Sequence, residues 1–272
     1  MQNILFIGAG SMAEAMIHGF TVQQVLTPEN IIVTNKQNKD RLRTLQTAYG
    51  ITPTYELAQA LQQSDLIVLA MKPKDVAASL ANIAAIIGPQ TPILSIVAGY
   101  SIASIVEMIG NRPVARIMPN TSAQIGMSTT GVAFNAQSNS DFKTTIHTLL
   151  AAVGSVVEVA EDQLHAVTAL SGSGPAYFYY IVEAMKSAGI TYGLPDAIVE
   201  KLVVETMAGA SEMLKRAGER PEVLRKKITS PGGTTAAGIA ALEQFDVKQA
   251  FTTCIAQAET KSRELAKSAT QL

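Results

Sequence analysis

Through its first 160 residues the chain alternates short apolar runs with amphipathic stretches, and after that the pattern changes. The runs fall at 4–7, 31–34, 65–70, 92–98, 114–118, 126–134 and 155–159. Most are apolar without alternation, which is what strands of a parallel sheet need when helices cover both faces. Between them, polar and apolar positions recur at helical spacing to about residue 20 and over 39–49, 74–87, 101–109 and 141–153. Beyond Glu161 no strand signal returns, and helices are predicted at 162–170, 174–188, 195–217, 221–228, 233–242 and 247–269. The fold expected is therefore α/β, with an all-α second part, and the domains expected are 1–160 and 161–272.

The first strand runs straight into Gly8-Ala9-Gly10-Ser11-Met12-Ala13, a G-x-G-x-x-A sequence between a strand and a helix. In that context Gly8 permits a tight turn, Gly10 lets a pyrophosphate approach the backbone, and Ala13 keeps the helix close to the sheet. This makes the first part a Rossmann-type doubly wound domain that binds a dinucleotide, the alternative being a tight turn without a ligand. At the end of the second strand stand Asn35, Lys36 and Gln37, where an acidic residue would accept the ribose 2′-hydroxyl of NAD. Lys36, with Arg41 nearby, suits a 2′-phosphate and hence NADP, unless these residues only begin a solvated helix. Ala70-Met71-Lys72-Pro73 and Pro119-Asn120-Thr121 follow later strands, so Lys72 and Asn120 are expected at the ligand-collecting edge of the sheet.

Charge and cysteine content narrow the chemistry. The 21 Lys and Arg balance 22 Asp and Glu, so no nucleic-acid or membrane-surface footprint is expected. Cys254 is the single cysteine, without a partner for a disulfide, a zinc site or thiol catalysis, so no metal is expected. No apolar run reaches the length of a membrane helix, and the start of the chain lacks the basic stretch of a secretory signal, which favours a cytoplasmic protein. His18, His147 and His165 each lie on a helix without a spaced partner, as structural histidines do. In the second part, Tyr177, Phe178, Tyr179 and Tyr180 make a helix apolar all round, which must be covered by the first domain or, more economically, by a second copy of the chain.

The densest cluster of small polar residues is 228–240. Between Ser230 and Thr235, Pro231-Gly232 forces a turn, Gly233 follows, and hydroxyls crowd at Ser230, Thr234 and Thr235 before an Ala-rich helix. Such a helix start offers free N–H groups and positive potential to a carboxylate or phosphate. A capped helix and nothing more would have the same spacing.

Taken in order, Gly8 to Ala13, Ala70 to Pro73, Arg116-Ile117-Met118-Pro119-Asn120-Thr121, Ser171-Gly172-Ser173-Gly174-Pro175-Ala176-Tyr177 and Thr229-Ser230-Pro231-Gly232-Gly233-Thr234-Thr235 resemble the pyrroline-5-carboxylate reductase family over the whole chain. The resemblance implies reduction of the cyclic imine 1-pyrroline-5-carboxylate to proline with NADPH or NADH, by intertwined dimers often gathered into rings of five. It implies substrate contacts at Glu161, Ser230, Gly233, Thr234 and Thr235, with Thr235 catalytic. It implies cofactor contacts at Gly8, Gly10, Ser11, Met12, Asn35, Lys36, Ala70, Lys72, Pro73, Ala98 and Asn120. Ser122 stands where the family usually has a second proline, and Lys227 where relatives can have a neutral residue that touches the cofactor; a lysine there could bind phosphate from the partner chain or face solvent. Another imine or 3-hydroxyacid reductase would share both domains but would normally carry a central lysine on its long helix, whereas Lys186 comes late and is expected to face solvent. A non-enzymatic NADP sensor would explain the first domain but not Ser230 to Thr235.

Overall fold

The computed structural model describes residues 3–269. Eight strands form one sheet: β1 (Ile4–Ile7), β2 (Ile31–Thr34), β3 (Thr52–Pro53), β4 (Leu66–Leu69), β5 (Ile93–Ser95), β6 (Val114–Met118), β7 (Ser128–Phe134) and β8 (Gly154–Glu158). Their order is β3-β2-β1-β4-β5-β6-β7-β8, with β1 to β6 parallel. β7 returns antiparallel to β6 because the connection from Asn120 to Gly126 is only a short 3-10 turn, too short for a crossover. β8 then pairs parallel to β7.

The helices of this part are α1 (Ser11–Val22), α2 (Lys39–Tyr49), α3 (Leu57–Gln63), α4 (Pro73–Ala84), α5 (Ile102–Ile109), α6 (Ser140–Ala151) and α7 (Leu164–Val167). Alternate residues of each strand feed two cores. Ile4, Phe6, Leu66 and Val68 pack with Met16 and Phe20 of α1, Leu45 of α2 and Ile146 of α6 on one face. Leu5, Ile7, Ile67 and Leu69 pack with Leu61 of α3, Leu80 of α4 and Ile105 of α5 on the other. Both faces are apolar, which is why the strand sequences do not alternate. The small elements β3 and α3 are additions to the sequence reading.

From Glu161 onward the chain is helical, but the expected helix over 162–170 is composite. A 3-10 turn (Glu161–Gln163) leads into α7, and Thr168–Gly172 forms a π-helical turn, closed by Ser173 N–H donating to Thr168 O at 2.8 Å. The stretch from Ser171 to Tyr177 thus begins inside a helical bulge. Beyond it lie α8 (Gly174–Thr191), α9 (Asp196–Ala217), α10 (Pro221–Lys227), α11 (Thr234–Gln244) and α12 (Val247–Ala269).

The described residues form two compact units, one running to Pro175 and resuming at Gln257, the other Ala176–Ala256. In the second unit only Val199 and Val203 are buried among the described residues, while Phe178, Tyr180, Leu202, Met213 and Phe245 stand exposed. Helices that bury only two side chains among them do not make a core. Lys186 does not simply face solvent: its Nζ lies 2.6 Å from Glu200 and 3.4 Å from Asp196, and the hydrogen bond to Glu200 pushes its pKa up. A lysine held protonated in this way is a poor proton donor.

Candidate functional site

The parallel register of β1, β2, β4, β5 and β6 sets their carboxyl ends along one edge of the sheet. The glycine loop, Asn35 and Lys36, Ala70 to Pro73, Ala98 and Asn120 all follow these ends. In a sheet of this type that edge is where ligands collect.

At the loop, Gly8 adopts φ +118°, and a Cβ there would sit 2.3 Å from Ala70 O, so no other residue fits. Its N–H donates to Thr34 O at 2.8 Å, and Ala70 N–H donates to Ile7 O at 2.9 Å, tying three strand ends together. Gly10 precedes α1 without a side-chain cap, and a Cβ on it would meet nothing within 4 Å. The amides of Ser11 and Met12 therefore open onto free space at a helix N-terminus, as a pyrophosphate requires. α4 starts the same way: Lys72 precedes it without a side-chain cap and Pro73 occupies its first turn. These features fit a dinucleotide.

Other expected contacts have jobs of their own. Asn35 Oδ1 accepts from Asn38 N–H and Tyr55 Oη–H, both at 2.9 Å, and so shapes the β2 turn. Lys36 is 79% exposed, with Nζ 3.6 Å from Asp75. Arg41 is not poised for a 2′-phosphate: Nε donates to Ala9 O at 2.8 Å and Nη2 to Glu14 Oε2 at 2.6 Å. Asn120 is buried; its Oδ1 accepts from Ser122 N–H and its Nδ2 donates to Ser171 Oγ, which donates to Thr129 O at 2.7 Å. The π-helical turn delivers Ser171 to this network, a role the sequence reading did not give it. Such bulges recur at functional sites. Ser122, where a proline was expected, supplies an amide that proline lacks.

Glu161 is no free carboxylate. Its Oε1 accepts from Ile102 N–H at 2.8 Å, at the start of α5, and from Nη1 of the buried Arg116 at 3.0 Å. Arg116 Nε is buried without a hydrogen-bond partner among the described residues. Nearby, His165 Nδ1 lies 2.9 Å from Ser262 Oγ, and burial, with the Arg263 and Arg116 charges, holds its pKa below the ordinary value. Arg263 grips Asp162 with two hydrogen bonds, at 2.5 and 2.9 Å. His18 lies tilted against the Tyr49 ring, and His147 lies against Phe134 and Glu158. Among the described residues no three His, Cys, Asp or Glu side chains gather as metal ligands, and no helix is long and apolar enough to cross a membrane.

In the second unit, the 228–235 turn leads into α11 (Thr234–Gln244). α11 has Gly233 before its first turn and no side-chain cap, so none of the hydroxyls caps the helix. Ser230, Thr234 and Thr235 are exposed, and no hydrogen bond engages their hydroxyls among the described residues. Gly233 N–H donates to Ser230 O at 3.0 Å, so the open first-turn amides begin at Thr234. Gly232 takes φ +73°, which turns the chain into the helix. Lys227 pairs with Glu219 of its own chain at 2.7 Å, which answers for it without a phosphate.

Residues 161–265 match the family model for pyrroline-5-carboxylate reductase dimerisation, and residues 3–99 match that for NADP oxidoreductase, coenzyme F420-dependent. The chain is 41% identical over 266 residues to pyrroline-5-carboxylate reductase 2 of Bacillus subtilis, covering 97% of this chain and 95% of that one. It superposes on the structure of a pyrroline-5-carboxylate reductase from Coxiella burnetii with a TM-score of 0.91 at 32% identity, covering 97% and 98% of the two chains. A Plasmodium falciparum pyrroline carboxylate reductase with NADP bound gives a TM-score of 0.87 at 28% identity, with the same coverage.

Proposed function

Because the chain belongs to the pyrroline-5-carboxylate reductase family, we propose that its exposed turn from Ser230 to Thr235 holds the substrate of that reaction and its glycine loop holds the cofactor. The reaction is reduction of the imine of 1-pyrroline-5-carboxylate to L-proline, the last step of proline biosynthesis. NADPH, or NADH, supplies the hydride when bound. Gly8, Gly10, Ser11 and Met12 take the pyrophosphate, Asn35 and Lys36 the adenosine end, and Ala70, Lys72, Pro73, Ala98 and Asn120 the rest of the cofactor along the sheet edge.

One observation carries the substrate assignment: an 11-residue helix begins without a side-chain cap while three hydroxyls around its start have no partner among the described residues. The amides of Thr234 and Thr235, with Ser230 Oγ, orient the carboxylate; Gly233 brings the backbone close. Thr235 Oγ accepts from the protonated imine N–H and holds the ring nitrogen in place. A cyclic imine is basic enough to carry that proton itself, so no strong acid is required and the nitrogen takes the electron pair of the C=N bond as the ring carbon gains hydrogen. Glu161 acts at one remove, by fixing Arg116 and the start of α5.

The chain is a homodimer through its helical part, and we propose five such dimers in a ring. The proposed division of labour assigns cofactor binding to 1–160, and dimerisation and substrate to 161–272. The lone Cys254 suits a reducing compartment, the cytoplasm. The test is oxidation of NADPH by the full chain with 1-pyrroline-5-carboxylate, against NADP reduction with 3-hydroxyacids: turnover with the imine alone is expected. Turnover confined to 3-hydroxyacids would overturn the assignment.

A further inference from the structure

We infer that Arg41 and Glu14 are a positioning pair that sets the glycine loop for the pyrophosphate, and that Arg41 takes no part in recognising the 2′-phosphate. This rests on the glycine loop being the cofactor site.

Glu14 lies in the first turn of α1, on the helix whose N-terminal amides face the open space beside Gly10. A carboxylate there stabilises the helix but repels a bound pyrophosphate, since like charges at short range weaken each other's binding. Arg41 removes that conflict. Its Nη2 bonds Glu14 Oε2 at 2.6 Å, and Tyr49 Oη–H donates to Glu14 Oε1 at 3.2 Å, so each carboxylate oxygen has a donor. Burial, followed by the Glu14 charge, raises the Tyr49 pKa, which keeps that phenol a donor.

The same guanidinium also holds backbone. Arg41 Nε donates at 2.8 Å to the carbonyl of Ala9, the residue between the two loop glycines. A peptide whose oxygen is pulled toward α2 has a fixed plane, so the N–H of the following Gly10 is fixed with it. Arg41 is itself located at the start of α2, where its N–H donates to Asn38 Oδ1 at 2.9 Å. The side chains of Arg41 and Glu14 are 25% and 31% exposed, so the pair is shielded more than a surface ion pair.

The pyrophosphate is common to NADPH and NADH, and only NADPH has the 2′-phosphate. Dissociation constants of both, read from their own fluorescence on binding to the full-length enzyme without substrate, therefore separate the two roles. Arg41→Met is expected to weaken both cofactors by the same factor, about tenfold, leaving their ratio unchanged. Adding Glu14→Gln to Arg41→Met is expected to recover part of the loss, because the unpaired carboxylate is gone. Arg41→Lys, which keeps the charge but cannot reach Ala9 O and Glu14 together, is expected to fall between and covers the case in which Arg41→Met does not fold. A loss confined to NADPH, unchanged affinity for both, or a double variant no better than Arg41→Met would overturn the inference. Gly10→Val tests the loop separately: if that folded variant kept its NADPH affinity, the loop assignment itself would fail.

Discussion

In the proposed cofactor site, Lys36 is the side chain on which the choice between NADPH and NADH should turn. With Arg41 engaged by Glu14 and Ala9, Lys36 is the cation left at the end of β2, opposed by Asp75 at 3.6 Å. Lys36→Glu should therefore raise KM for NADPH about tenfold or more and leave KM for NADH nearly unchanged, which steady-state kinetics with each cofactor will check. Equal changes would make Lys36 a surface residue. His165 carries a pH effect of calculable sign. Burial and two guanidinium groups lower its folded-state pKa, so the unfolded chain, with an ordinary value of about 6.5, takes up the proton first. Its contribution to stability is present above that value and is lost as the pH falls below it, levelling once the folded state is protonated. Asp162, whose pKa the Arg263 hydrogen bonds lower, loses its contribution only further down, below about 4. The urea midpoint should thus fall between pH 7 and 5, and His165→Asn, which keeps a partner for Ser262, should flatten that slope. An unchanged slope in the variant would assign the effect to other groups.

Among the elements, the π-helical turn at Thr168–Gly172 invites a test because it hands Ser171 to Asn120 and Thr129. Ser171→Ala leaves an amide and a carbonyl without a partner and should cost about 1–3 kcal/mol, a fall of a few degrees in thermal midpoint, with a higher KM for cofactor. An unaltered midpoint would mean that the Ser171 hydrogen bonds add nothing to stability. This turn was illegible in the sequence, since a bulge of one residue leaves no periodicity to read. The strands were legible because helices cover both faces and leave runs such as Leu66–Leu69 wholly apolar. β3 escaped notice because Thr52–Pro53 is two residues long and only half covered. Of the site, the glycine fingerprint and the 228–235 turn could be read because each is local. The Arg41 brace and the Glu161 brace could not, because their partners lie 27 to 59 residues away in the chain.

The whole molecule is incomplete as a single chain, since the second unit buries only Val199 and Val203 among its described residues. Its unfolding midpoint should rise with protein concentration, and light scattering should give at least a dimer mass. A monomer mass with a concentration-independent midpoint would contradict this. The proposed chemistry depends on the same helical part, through a turn whose hydroxyls do not cap the helix that follows. The most direct measurement is the initial rate of NADPH oxidation with 1-pyrroline-5-carboxylate for the wild type, Thr235→Ala and Thr235→Ser side by side. Removing the hydroxyl should lower kcat/KM by about ten- to a hundredfold, the worth of a hydrogen bond to a charged group, and serine should restore most of it. Full activity in Thr235→Ala would mean that the turn does not hold the imine.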